Sequence, residues 1–251
     1  MMIRFSLPVR LVGGFAVMLV WPHSLVAEEG ASASPSTTPV SRTEGWWVER
    51  HEAKLEEVAA RAAEVRLVFA GDSITQGWEG AGAALWEEHF APAGALNLGY
   101  SGDRTEHVLW RLRHGEWPED LRPDTVVLMI GTNNTGHGEG RPAAETAEGI
   151  TMIVDEMATR APDATIVLLG IFPRGRGADD ARRQVNEEIN LLIAPLGERE
   201  NVVFRDIGAI FLDEDGGLPE DVMPDALHPN ARGYELWAEA MVEILEEVRA
   251  P

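Results

Sequence analysis

The chain has 251 residues, with 21 basic and 42 acidic side chains, a formal net charge of −21 and no cysteine. Such an acid excess argues against nucleic acid as a partner, because phosphate recognition needs clustered Lys and Arg, and here Lys54 is the only lysine. It also disfavours an anionic membrane surface, and the lack of cysteine excludes both disulfides and attachment through a lipidated thiol.

Taken from the N-terminus, residues 1–27 read as a cleavable signal peptide. Arg4 and Arg10 form a basic start, Leu11 to Val20 an apolar run, and Leu25-Val26-Ala27 a cleavage site. The run falls short of the ~20 residues a membrane span needs, so no stable membrane insertion is expected once the leader is removed. A secreted or periplasmic protein is the expectation, with an uncleaved anchor as the alternative. Residues 28–44 are rich in Ala, Ser, Thr and Pro, the composition of a disordered linker. The folded domain is therefore expected over residues 45–251.

Within that domain, apolar β-branched runs at Arg66–Ala70, Ala95–Gly99, Thr125–Ile130, Thr165–Ile171 and Val202–Ile207 predict five strands. Helical patterns at Trp47–Ala63, Arg104–His114, Ala143–Arg160, Ala178–Leu196 and Ala231–Val248 alternate with them. Strand and helix in alternation argue for a parallel sheet covered on both faces, and the unbroken apolar run Val126–Ile130 suits a strand buried on both sides. In such folds the functional residues sit at the carboxyl ends of strands.

Three motifs fall at those ends. Gly71-Asp72-Ser73 follows the first strand, Gly131-Thr132-Asn133-Asn134 the third, and Asp225-Ala226-Leu227-His228 precedes the last helix. A serine hydroxyl attacks only when a base takes its proton, so Ser73 needs an imidazole. His228 is the candidate base, and Asp225, three residues earlier in a short loop, would fix its tautomer. Asn133, Gly102 after the second strand, and the Ser73 N–H are the candidate oxyanion donors. Asp72 is read as support for the nucleophile turn. Each motif also has a structural reading (helix cap, turn former, left-handed glycine), and only their combination favours catalysis.

These blocks, with Gly99-Tyr100-Ser101-Gly102-Asp103, resemble those of the SGNH (GDSL-type) hydrolases. The run from Gly102 to Leu112 is similar to the catalytic α subunits of intracellular platelet-activating-factor acetylhydrolase and their bacterial relatives, a likeness spanning about Trp46 to Glu247. The resemblance implies an α/β fold, a flavodoxin-like three-layer α/β/α sandwich on a five-stranded parallel sheet. It further implies a Ser73–His228–Asp225 triad, an oxyanion hole of Ser73, Gly102 and Asn133, and neither metal nor organic cofactor. Ile74 and Ser101 depart from the usual Leu and Gly. By comparison with acetyl-specific relatives, Ile74, Thr132 and Leu227 are expected to narrow the acyl pocket.

The reading is thus a secreted serine esterase removing short acyl groups, acetyl foremost, from a small-molecule or carbohydrate ester. A lipid or lysophospholipid acetylhydrolase, and a non-catalytic carbohydrate-binding protein of the same fold, stay open as alternatives. A nucleotide-binding protein is disfavoured by the missing phosphate loop. Trp78 is a candidate rim residue that would stack on a sugar. His137, Arg174 and Arg176 are loop residues within possible reach of a substrate. Trp46 and Trp47 either anchor the first helix or contribute to a homodimer contact.

Overall fold

All five apolar runs form strands: β1 (Leu67–Gly71), β2 (Ala95–Gly99), β3 (Thr125–Met129), β4 (Thr165–Leu169) and β5 (Val202–Arg205). They pair in parallel in the order β2-β1-β3-β4-β5. The computed structural model describes Met2 and residues 34–136 and 140–249. The expected signal peptide, linker residues 28–33 and His137 lie outside the described residues.

Side-chain alternation sets the three layers, because successive strand residues point to opposite faces. Val68, Ala70, Val126, Leu128, Ile166 and Leu168 face one core, which is closed by Val58, Leu109, Ile153 and Ile189. Leu67, Phe69, Val127, Met129, Val167 and Leu169 face the other, closed by Trp78, Phe90, Trp237 and Met241. Each of the larger of these side chains (Val, Leu, Ile, Phe, Met) contributes about 1.5–3 kcal/mol by leaving water. The covering helices are α1 (Gly45–Arg61), the short α2 (Ser73–Gln76) and α3 (Ala83–Leu85), α4 (Thr105–Arg111), α5 (Thr132–Gly136), α6 (Ala143–Arg160), α7 (Ala181–Ile193) and α8 (Ala231–Arg249). No helix among the described residues is long and apolar enough to cross a membrane.

Two expectations are corrected here. Residues 34–44, read as part of a disordered linker, pack onto the domain. Ser36 is fully buried, its carbonyl accepting from Thr105 Oγ1 at 2.8 Å and its Oγ from Asn134 Nδ2 at 3.3 Å and Arg141 Nη1 at 3.1 Å. The composition misleads because the segment is held by polar pairing and not by apolar burial. Trp78, expected at the rim of the site, is fully buried. It lies edge-on to Tyr234 and Phe90, with ring centroids 4.7 and 5.2 Å away, and close to Trp237. Trp47 is buried and anchors the first helix, whereas Trp46 is exposed.

Candidate active site

At the carboxyl end of β1 the chain must turn sharply into α2 while passing close to β3. Gly71 permits this, since a Cβ there would lie 2.4 Å from the Met129 carbonyl oxygen. Asp72 caps the new helix, its Oδ1 accepting from the Ile74 N–H at 3.0 Å. Ser73 is therefore the first helical residue, and the helix leaves its N–H unpaired. From α8, in the same core as Ile74, the Tyr234 hydroxyl donates to the Ile74 carbonyl at 2.6 Å and fixes the turn. Sequence reasoning missed Tyr234, which carried no signal beyond one aromatic on an amphipathic helix.

Ser73 Oγ lies 2.9 Å from His228 Nε2, and His228 Nδ1 lies 2.6 Å from Asp225 Oδ2. The other carboxylate oxygen, Asp225 Oδ1, accepts from the His228 N–H at 2.7 Å and the Leu227 N–H at 3.0 Å. Burial alone would raise the Asp225 carboxyl, but these bonds to the imidazole and backbone outweigh it and hold it below the ordinary carboxylate range. Ala226, between Asp225 and His228, has φ 59° and is the only non-glycine residue with positive φ among those described. Adjacent chain holds this strained turn. Gly175 N–H donates to the Ala226 carbonyl at 2.9 Å, and Arg176 donates to the carbonyls of Leu218, Met223 and Pro224.

Gly102 has φ 73°, a left-handed conformation that suits glycine. Its N–H has no protein acceptor among the described residues. The loop is tied to α2 through Ser101 N–H, which donates to Gln76 Oε1 at 2.7 Å. Asn133 is buried, and its Nδ2 donates to the Asp103 carbonyl at 2.9 Å, which orients the amide against the loop carrying Gly102. The Asp103 carboxylate, itself buried, accepts from Trp47 Nε1 at 2.7 Å and Arg111 Nε at 2.8 Å. Burial lifts the Asp103 carboxyl to about 6 despite Arg111 and Trp47. Arg111 also pairs with Glu116 and lies over the Tyr100 ring, 3.8 Å from its centroid. A buried ionic network thus underlies the candidate oxyanion loop.

The structure brings Ser73, His228 and Asp225 into one hydrogen-bonded chain at the sheet edge where β1, β2 and β3 deliver Ser73, Gly102 and Asn133. Asp72 lies beneath Ser73, capping the helix that Ser73 begins. Its Oδ2 is buried without a protein partner, and burial pushes its carboxyl up to about 7 against the Ile74 N–H bond. Of the three residues expected to narrow the acyl pocket, Ile74 and Thr132 are each 1 % exposed, and only Leu227 offers accessible surface. Arg174 is buried and donates to the Thr132 carbonyl at 2.9 Å and hydroxyl at 3.1 Å, so it braces the Asn133 loop instead of meeting solvent. Among the described residues no group of three or more His, Cys, Asp or Glu side chains is arranged to hold a metal ion.

A model of the GDSL-like Lipase/Acylhydrolase family matches residues 69–236. Over 221 residues, 87 % of this chain and 90 % of the relative, the sequence is 36 % identical to platelet-activating factor acetylhydrolase IB subunit alpha1 of Homo sapiens. A GDSL-like lipase of Bacteroides thetaiotaomicron superposes with a TM-score of 0.66 at 21 % identity, covering 79 % of this chain and 98 % of that one. An acetylxylan esterase of Geobacillus stearothermophilus does so at 0.58 and 21 %, covering 73 % and 94 %. At those identities the two structures speak to the fold alone. With the α/β fold, the matched family and the relative in agreement, the chain belongs to the GDSL-type lipase/acylhydrolase family.

Proposed function

We propose that this protein is a serine esterase that hydrolyses short-chain, foremost acetyl, O-esters through an acyl-enzyme. The observation that carries the reading is the unbroken chain Ser73 Oγ–His228 Nε2–Asp225, at 2.9 and 2.6 Å. In the first step His228 Nε2 accepts the Ser73 proton as Oγ attacks the ester carbonyl. Negative charge then develops on the carbonyl oxygen, facing the Ser73 and Gly102 N–H groups and the Asn133 amide. Collapse breaks the bond to the alcohol oxygen, which takes the proton from His228. Water, deprotonated by the same imidazole, then releases the acid and restores Ser73. Asp225, kept ionised by its own hydrogen bonds, stabilises the imidazolium formed in both half-reactions.

A short acyl group is favoured by the relative's name, an acetylhydrolase, and by Leu227, a bulky aliphatic residue with accessible surface next to His228. For the alcohol half we favour a hydroxyl-rich, carbohydrate-like group. His228 and Asp225 are 42 % and 54 % exposed, so a bulky alcohol can approach. A cleft beside Gly102 is lined by Ser41, Arg42, Thr43, Arg104 and His107, which are polar and suited to hydroxyls. The basic, apolar N-terminus supports an exported, disulfide-free enzyme.

The test is hydrolysis of p-nitrophenyl acetate, butyrate and octanoate by the protein and by S73A. Activity that falls with chain length and vanishes in a folded S73A is expected, and activity retained in S73A would overturn the mechanism. Acetate release from acetylated xylose and from an acetylated lysophospholipid then separates the sugar reading from the lipid one.

A further inference from the structure

The segment Ser34–Glu44, which composition marks as a linker, reaches the active site with one side chain, Arg42. Its Nη1 donates to the Ser101 carbonyl oxygen at 2.8 Å. That carbonyl belongs to the same peptide group as the Gly102 N–H. A trans peptide is planar, so its C=O and N–H point in opposite directions and turn together; no cis peptide occurs among the described residues. Whatever holds the Ser101 oxygen therefore aims the Gly102 N–H. We propose that Arg42 is a positioning residue for the oxyanion hole, supplied by an N-terminal strap that is a working part of the active site.

Four further observations support this assignment. Gly102, with φ 73°, lacks the Cβ that limits backbone freedom, so the peptide ahead of it needs an external hold. A Cβ on Gly102 would lie 2.8 Å from Arg42 Nη1, so the guanidinium is packed directly on the loop. The guanidinium is itself fixed: Nη2 and Nε donate to Glu44 Oε1 at 2.6 and 3.2 Å, and its carbon sits 5.0 Å from the Trp46 ring centroid. The strap that carries it is anchored on the elements flanking the site. Val40 N–H donates to the Glu106 carbonyl at 3.3 Å, Ser34 Oγ to Glu145 at 2.8 Å, and buried Ser36 is bonded to Thr105 and Asn134. A charge-assisted bond to the carbonyl end also polarises the peptide and strengthens its N–H as a donor. With Glu44 balancing much of the charge, direction matters more than field.

The inference rests on the esterase reading, so its test includes a readout that separates the two. R42Q and R42K are compared with the unaltered protein in p-nitrophenyl acetate hydrolysis and in the rate of Ser73 phosphorylation by diethyl p-nitrophenyl phosphate. In the second reaction Ser73 Oγ bonds to phosphorus, its proton passes to His228 and p-nitrophenolate leaves, while the phosphoryl oxygen occupies the oxyanion hole. Intact mass reports the adduct. Deleting an oxyanion donor outright costs about 10²–10³ in turnover, and a misaimed one is expected to cost R42Q about tenfold in kcat, with KM within about twofold. Phosphorylation should slow by about the same factor, and R42K, which keeps charge and donor on a shorter reach, should lose about threefold in both.

Unchanged rates in folded R42Q, or a rise in KM with phosphorylation unaltered, overturn the positioning role while leaving the esterase reading intact. Should R42Q fail to unfold cooperatively, R42K decides, and rates in R42K equal to those of the unaltered protein overturn the inference. An unaltered protein that neither hydrolyses esters nor forms the Ser73 adduct overturns both readings.

Discussion

Replacing Asp72 by asparagine should flatten the fall in stability between about pH 4 and pH 7. The Asp72 carboxyl is fully buried, with one oxygen bonded to the Ile74 N–H and the other lacking a protein partner. Burial lifts it from 3.8 to about 7, against the attraction of His228 and Arg174 and helped by Asp103. Between those two values the folded protein keeps a proton that the unfolded chain has lost. Stability therefore falls as pH rises from about 4 to about 7, and this contribution is level outside that window. At about 1.4 kcal/mol per pH unit, the gap corresponds to about 4 kcal/mol. Asparagine keeps the acceptor for Ile74 and cannot ionise, so D72N should gain on the unaltered protein by up to that amount between pH 4 and pH 8. Urea unfolding of both proteins at half-unit pH steps measures the difference. Parallel stability profiles across the window would refute the argument.

Three further outcomes are expected. D225N should lower kcat by about 10²–10⁴-fold while Ser73 stays in place, because an amide cannot hold the imidazole tautomer or stabilise its cation; a loss below tenfold on p-nitrophenyl acetate would count against Asp225. Y234F strands the buried Ile74 carbonyl and should destabilise the fold by about 1–3 kcal/mol in urea, with no change in the midpoint contradicting the bond. Across p-nitrophenyl esters of rising acyl length kcat/KM should fall, as the acetyl preference proposed from the relative's name requires, and equal rates on acetate and octanoate would remove the short-acyl reading.

What was legible in the sequence, and what was not, follows from the kind of interaction that holds each part. The strands declare themselves because burial on both faces demands unbroken apolar runs. Val126 and Val127 fall in opposite cores, yet both must be apolar. Their ends ran one or two residues long in β3, β4 and β5, where the chain leaves the ladder while its side chains remain apolar, as at Ile130 and Ile171. The hydrogen-bonded chain of Ser73, His228 and Asp225 is legible because the chemistry it would serve fixes residue types within short local motifs. Its supports are not, for they depend on partners far along the chain. Tyr234 lies 160 residues from Ile74, and Asp103 takes Trp47 from 56 residues away.

Trp78 follows the same logic. Its distance from Ser73 in sequence suggested the rim, but Tyr234 and Trp237 arrive from α8 and enclose it. The N-terminal strap is the instructive failure. Disorder is inferred from composition because a segment poor in apolar side chains cannot offset the entropy of ordering by hydrophobic burial. Ser34, Ser36 and Arg42 gain their hold another way, as partners for Glu145, Thr105, Asn134 and the Ser101 carbonyl, polar groups the domain would otherwise leave to solvent or unsatisfied. Hydropathy is blind to that kind of complementarity. A polar segment is therefore ordered or not according to whether the surface it crosses has unmet hydrogen bonds, and here those bonds lie along the loops that carry Gly102 and Asn133.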